Sequence, residues 1–281
     1  MRGGAASDRS PEPSAARLVE PGRLVLCAIA VGLLIACLVP PLSTSAGRYE
    51  FAEALQFALL AVVVPALLVL GMPWRLVGLA APRPPEDEGI MATPAHSLLP
   101  IDRIALGRRH HPEALRSVAF AALYLAGAIV WRIPPTVDAL ARHPWLAGVE
   151  AATLVAVGSG LWLELVESPP LVPRLSRPHR VALAAVCMWT IWVLAYLVGL
   201  SHASWYHAYG HHPGAGLSLS ADQQLTTATM WFVSGCAFIP VVFWNLIRWL
   251  QSEEDPDEEL HRLVRQVRSR ERPLDHGKAG P

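Results

Sequence analysis

Again and again this chain runs for about twenty residues with almost no charged side chain, and that pattern constrains the fold more than any motif. Six such runs stand out, at about Arg23–Leu42, Phe51–Gly71, Leu115–Pro134, Trp145–Val166, Arg180–Leu200 and Leu225–Leu250. A hydrocarbon core of ~30 Å takes ~20 helical residues to cross. Lipid offers the backbone no hydrogen-bond partner, so each run is expected to be helical. The fold class that follows is all-α, a polytopic membrane bundle of six transmembrane helices. With 53% hydrophobic and only 16% charged residues, the composition agrees. The first run does not read as a cleaved signal peptide, because Pro40, Pro41 and Leu42 make a poor cleavage site.

A net charge of zero hides a strong asymmetry. Arg2, Arg9, Arg17 and Arg23 precede or open the first run, and Arg75, Arg83, Arg103, Arg108, Arg109 and Arg116 lie in or beside the second loop. Arg174, Arg177 and Arg180 sit in the fourth loop, and a further basic set follows the last run. The alternate loops hold only Arg48, Arg132 and Arg142, and residues 201–224 hold no Arg or Lys. Basic residues stay on the cytoplasmic side, so both termini are expected there. The domain plan is then a disordered segment 1–22, a membrane domain 23–250 with a cytoplasmic loop 76–113, and a charged tail 251–281.

On this topology the unusual polar residues gather at the outer side. Glu53 opens the second run, Arg132 ends the third, Asp138 follows it, and Glu150 lies about one turn into the fourth. In the last outer loop, "SADQQLTTATMW" places Asp222, Gln223 and Gln224 before the sixth run, with Met230 and Trp231 inside it. Asp222 is the natural N-cap of that run, its carboxylate accepting from first-turn N–H groups. The two glutamines are expected within a broad inward sector, with Met230 on the same face as Gln223. Ionisable groups inside a span are costly and mark a functional interior. Cys27, Cys37, Cys187 and Cys236 fall inside runs without motif spacing and read as small buried apolar residues. His202, His207, His211 and His212 form the metal candidate by composition, although Gly210, Pro213 and Gly214 work against a helical face.

Four pieces of the chain, in order, resemble the CtaG-type cytochrome c oxidase assembly factors. "LQFALLAVVVPALLVLGMP" is similar to the family's apolar helix ending in Pro-x-Leu-Leu-x-Leu-Gly-x-Pro. "VWRIPPTVDALARHPWLAGVE" is similar to its Trp-His-x-Pro … Asp … His-Pro-Trp-Leu … Glu segment. "WYHAY" and "LSLSADQQLTTATMW" are similar to its Tyr-Pro-x-Tyr patch and its Leu-x-Asp-Gln-x-Leu … Met-Trp entry. The resemblance covers about Ala28 to Leu250 and implies a bacterial plasma-membrane protein of an oxidase assembly line, a family implicated in copper delivery. This chain departs from it at the helix-borne histidines. Glu53 and Phe57 stand in the pattern His-Met-x-x-His, Arg132 follows the tryptophan, and Ala147 and Ala151 flank Glu150. Imidazole suits copper, whereas a guanidinium cannot coordinate. An ion pair between Glu53 and Arg132 is the expected replacement.

The first functional reading is therefore an accessory protein for a respiratory oxidase, not an enzyme, with a degenerate copper site. A copper carrier using the loop histidines, or a small-solute transporter, are the alternatives. The partners implied are membrane lipid and an oxidase subunit or another membrane protein, with no nucleic acid.

Overall fold

A computed structural model describes residues 14–76, 79, 100–110, 114–200, 205–209 and 216–253. Among them the regular structure is helical, with no strand. Six helices are long and apolar enough to cross a membrane. They are α1 (Ser14–Leu38), α2 (Glu50–Gly71), α3 (Ala114–Arg132), α4 (Leu146–Leu165), α5 (Arg177–Gly199) and α6 (Leu219–Glu253).

The boundaries differ from expectation where local chemistry decides. α1 starts at Ser14, so the end of the segment expected to be disordered is helical, in keeping with the good helix formers Ala15, Ala16, Arg17 and Leu18. α3 stops at Arg132 because Ile133 is extended, φ −72° and ψ 145°, as a residue before proline prefers. Pro134 therefore does not end the span but opens a short helix, Pro134–Arg142. α6 begins at Leu219, which puts Asp222 and Gln223 inside its first turns rather than ahead of them. The expected cytoplasmic loop contains a helix, Pro100–His110. Residues 81–89 of that loop, "APRPPEDEG", and the charged tail after Glu253 lie outside the described residues.

α2 is the hub. About 67% of it is buried, against 17–39% for the other five spans, so it meets neighbours on nearly all sides. Its interior carries a π-helical turn, Leu59–Val63, just before Pro65. Proline lacks an N–H and its ring collides with the carbonyl four residues back, here Ala61, and a wider turn accommodates it. α4 fits against this turn through Gly158. A Cβ there would lie 2.6 Å from Pro65 Cγ and 2.9 Å from the Ala61 carbonyl oxygen. Outside the bundle, Leu24, Ile35, Val186, Trp189, Phe232, Phe243 and Trp244 are exposed, an apolar surface suited to lipid. Cys236 belongs to that outer face, while Cys27, Cys37 and Cys187 are buried as expected.

Each end of the bundle has its own buried ionic group. At one, Glu164 is fully buried and accepts from Arg108 at 2.7 Å and from Ser117 at 2.9 Å, with Arg174 at 3.5 Å. Arg108 thereby ties the Pro100–His110 helix under the spans. The opposite end holds the polar residues singled out above.

Candidate functional site

The site is built where α2, α3, α4 and α6 converge. Glu50 and Glu53 lie three apart at the start of α2, so they share a face, and both are buried. Arg132, the last residue of α3, reaches across and pairs with Glu53 through Nη1 and Oε2. Its guanidinium lies between two rings, 5.3 Å from the centroid of Phe57 and 5.3 Å from that of Tyr206. Such cation–π contacts strengthen as water is excluded. Glu150 of α4 is 2% exposed, and its Oε1 has no hydrogen-bond partner among the described residues. Glu53 Oε1, both carboxyl oxygens of Glu50, and Nε and Nη2 of Arg132 are likewise unpartnered.

A cavity of about 590 Å³ runs from this cluster outward. Glu53, Gln56 and Glu150 line it together with Ser43 and Thr44 of the Leu42–Ala46 turn and Leu140 of the Pro134–Arg142 helix. Its rim includes the exposed residues Thr44, Gly47, Arg48 and Pro144, so it communicates with the surface.

The segment 205–209, "WYHAY", closes the cluster on another side. Tyr206 Oη donates to the Arg132 carbonyl at 3.0 Å, the Ala208 N–H donates to Asp138 Oδ1 at 2.9 Å, and Tyr209 Oη donates to the Ala46 carbonyl at 2.8 Å. Tyr206 and Tyr209 meet edge to face and pack with Val137 and Val198 in a small core of their own. Burial pushes the Tyr206 hydroxyl up to about 12, partly offset by the Arg132 charge. Burial also raises Tyr209, and the Glu53 charge adds to it.

Of the residues named from sequence, Glu53, Arg132 and Glu150 meet in the cluster, and Asp138 anchors the segment that covers it. Asp222 acts differently from expectation. Its carboxylate does not cap its own helix; it accepts the backbone N–H groups of Glu50 and Phe51, each at 2.9 Å. The cap of α6 is Ser218, whose Oγ accepts the Ala221 N–H at 3.2 Å. Gln223 is buried and Met230 fully so, but Gln224 is exposed and faces away from the cluster. Their α-helical step of ~100° carries the second glutamine off the inward sector. Trp231 also sits apart, stacked on Trp192 with centroids 4.1 Å apart. His207 is exposed, and His202, His211 and His212 lie outside the described residues. Sequence reasoning missed Glu50, Tyr206 and Tyr209 as members of the site. The spacing of Glu50 to Glu53 was the available signal for the first.

These residues do not fit a copper centre. The cluster offers carboxylate oxygens and a permanently protonated guanidinium, whereas copper sites draw on imidazole and sulfur. No group of three His, Cys, Asp or Glu able to hold a metal occurs among the described residues.

An apolar-surfaced bundle with a buried ionic group at each end, one of them under a tyrosine-bearing segment, defines a polytopic helical membrane protein with its chemistry concentrated at the ends of the spans. Compared with known families, residues 5–252 match the model described as cytochrome c oxidase caa3 assembly factor, Caa3_CtaG, and the chain belongs to that family. No curated protein and no solved structure matches it.

Proposed function

We propose that this chain is a non-catalytic accessory protein for a respiratory cytochrome c oxidase. It works from the bacterial plasma membrane with both termini in the cytoplasm, and it engages an oxidase subunit rather than ligating copper within its bundle. The observation that carries the reading is the Glu53–Arg132 pair, buried and braced by two aromatic rings in a chain of this family. A cation held there gives the outer end one fixed shape, which suits a docking surface. It also takes up a position where a ligand histidine would otherwise bind metal. The basic residues of the segment before α1, of the second and fourth loops and of the tail support the orientation.

Deleting the gene in its own bacterium and measuring oxidase activity, oxidase subunit levels and oxidase copper in membranes tests this. A several-fold fall in assembled oxidase, restored by the wild-type chain, is the expected result. Unchanged oxidase in the deletion strain removes the reading. Purified protein carrying about one copper per chain, lost on replacing His202, His207, His211 and His212, shifts it to a copper carrier.

A further inference from the structure

The cluster is unbalanced in charge. Four acids are buried at this end, Glu50, Glu53, Glu150 and Asp222, against one buried cation, Arg132. Asp222 is satisfied by two backbone N–H groups and one oxygen of Glu53 by the guanidinium. Beside the cavity, acceptor capacity without a partner remains in Oε1 of Glu53 and Oε1 of Glu150, two cavity-lining side chains each more than nine-tenths buried. An unpaired buried carboxylate is expensive, and a cation with N–H donors relieves it.

We infer that the cavity between the Leu42–Ala46 turn, the Pro134–Arg142 helix and the starts of α2 and α4 binds an aliphatic primary ammonium group, with Glu53 and Glu150 as its acceptors. Its volume of about 590 Å³ exceeds what a water or a bare ion needs and falls within the range of small-ligand pockets. A compact ammonium carries three donors, which matches acceptors arriving from two helices. Leu38, Leu140 and Ala147 line the same cavity and suit an alkyl stem. A hard metal ion fits less well, since no three-ligand group occurs among the described residues. The planar fork of a second guanidinium is also disfavoured, because Arg132 already occupies the facing oxygen of Glu53.

The ammonium has two sources, a free alkylamine or the lysine side chain of a partner protein, and the second rests on the assembly reading. Purified protein in detergent, at neutral pH and constant ionic strength, is titrated with propylamine and, separately, with an Nα-acetyl-lysine amide that mimics a lysine within a protein. Thermal stability and calorimetric heat are read. Saturable binding of at least one amine is expected, with tetramethylammonium and sodium inert. Glu150→Gln should weaken it about tenfold or more, equivalent to ~1.4 kcal/mol. Ala147→Phe, which fills the cavity and leaves both carboxylates in place, should weaken it as well. The second variant and a check of the melting midpoint of each keep a folding defect from passing as lost binding. Preference for the lysine mimic assigns the site to a partner side chain, and preference for propylamine assigns it to a free amine. If neither amine binds saturably, or if both variants bind like wild type, the inference is overturned. Because no oxidase is present in this titration, its failure leaves the assembly reading standing, and a failed deletion experiment leaves the amine site standing.

Discussion

Asp222 caps the helix that begins at Glu50, from 172 residues further along the chain. Tyr49, at the N-cap position of α2, has extended dihedrals and no capping side-chain bond of its own. The first N–H groups of any helix lack internal partners. Here the sixth span supplies the acceptor that the second span's sequence omits, and the helix dipole of α2 favours a carboxylate in that place. A local capping device has become a bond between spans, fixing the height of α6 against α2.

Asp222→Ala should therefore lower stability by ~1–2 kcal/mol, the upper part of the capping range, because the bonds are buried. Asp222→Asn keeps one acceptor oxygen and should lose roughly half as much. Unfolding midpoints of the three proteins in detergent check this. An alanine variant as stable as wild type would mean that water satisfies the α2 start just as well.

Glu53→Ala and Arg132→Ala should each cost ~3–5 kcal/mol, since each leaves a buried charge without its partner. The joint change Glu53→Leu with Arg132→Met should cost less than either. Strictly additive losses would show that the two residues do not act as a pair.

Tyr206 gives a pH signature. Its hydroxyl is held at about 12, above the ~10 of an unfolded chain. The folded state therefore binds that proton more tightly. The associated stability is fully present below pH ~10 and is lost as pH rises from ~10 toward about 12. Tyr209 is shifted in the same direction. A melting midpoint measured across this alkaline range should fall, and Tyr206→Phe should flatten the fall while costing ~1 kcal/mol at neutral pH for the lost bond to the Arg132 carbonyl. An identical alkaline slope in the variant would rule Tyr206 out as its origin.

Gly158→Ala should destabilise by ~1–3 kcal/mol, because the added Cβ meets the Ala61 carbonyl and the Pro65 ring at distances that force α2 and α4 apart. Gly148→Ala on the same helix, where a Cβ meets nothing within 4 Å, is the control and should be neutral or slightly stabilising.

Membrane orientation is tested by single cysteines in a variant lacking Cys27, Cys37, Cys187 and Cys236. His207→Cys and Gln251→Cys are both at exposed positions. An impermeant thiol reagent added to intact cells should label the first and spare the second. The opposite pattern reverses the bundle.

Much of this protein was legible in its sequence, for a physical reason. A bilayer demands internally bonded backbone and apolar exteriors, so length and hydropathy alone specify six helices. Glu53 and Arg132 could be paired from the family resemblance, because both stand where its pattern has histidines and a buried charge needs its opposite.

What escaped was decided by three-dimensional neighbours. Asp222 has the residue type and position of a helix cap, and nothing in the sequence says that the helix it serves is α2. Gln224 and Trp231 share a segment with Gln223 and Met230, yet their helical phase turns them from the cluster. Tyr206 and Tyr209 enter the site through hydrogen bonds to the Arg132 and Ala46 carbonyls, and backbone carbonyls carry no sequence signature. The sequence determined which segments leave water and which charges must be neutralised, because transfer free energies belong to residues one at a time. The tertiary structure alone decided which groups meet, because a hydrogen bond of about 3 Å depends on where two distant backbones come to rest.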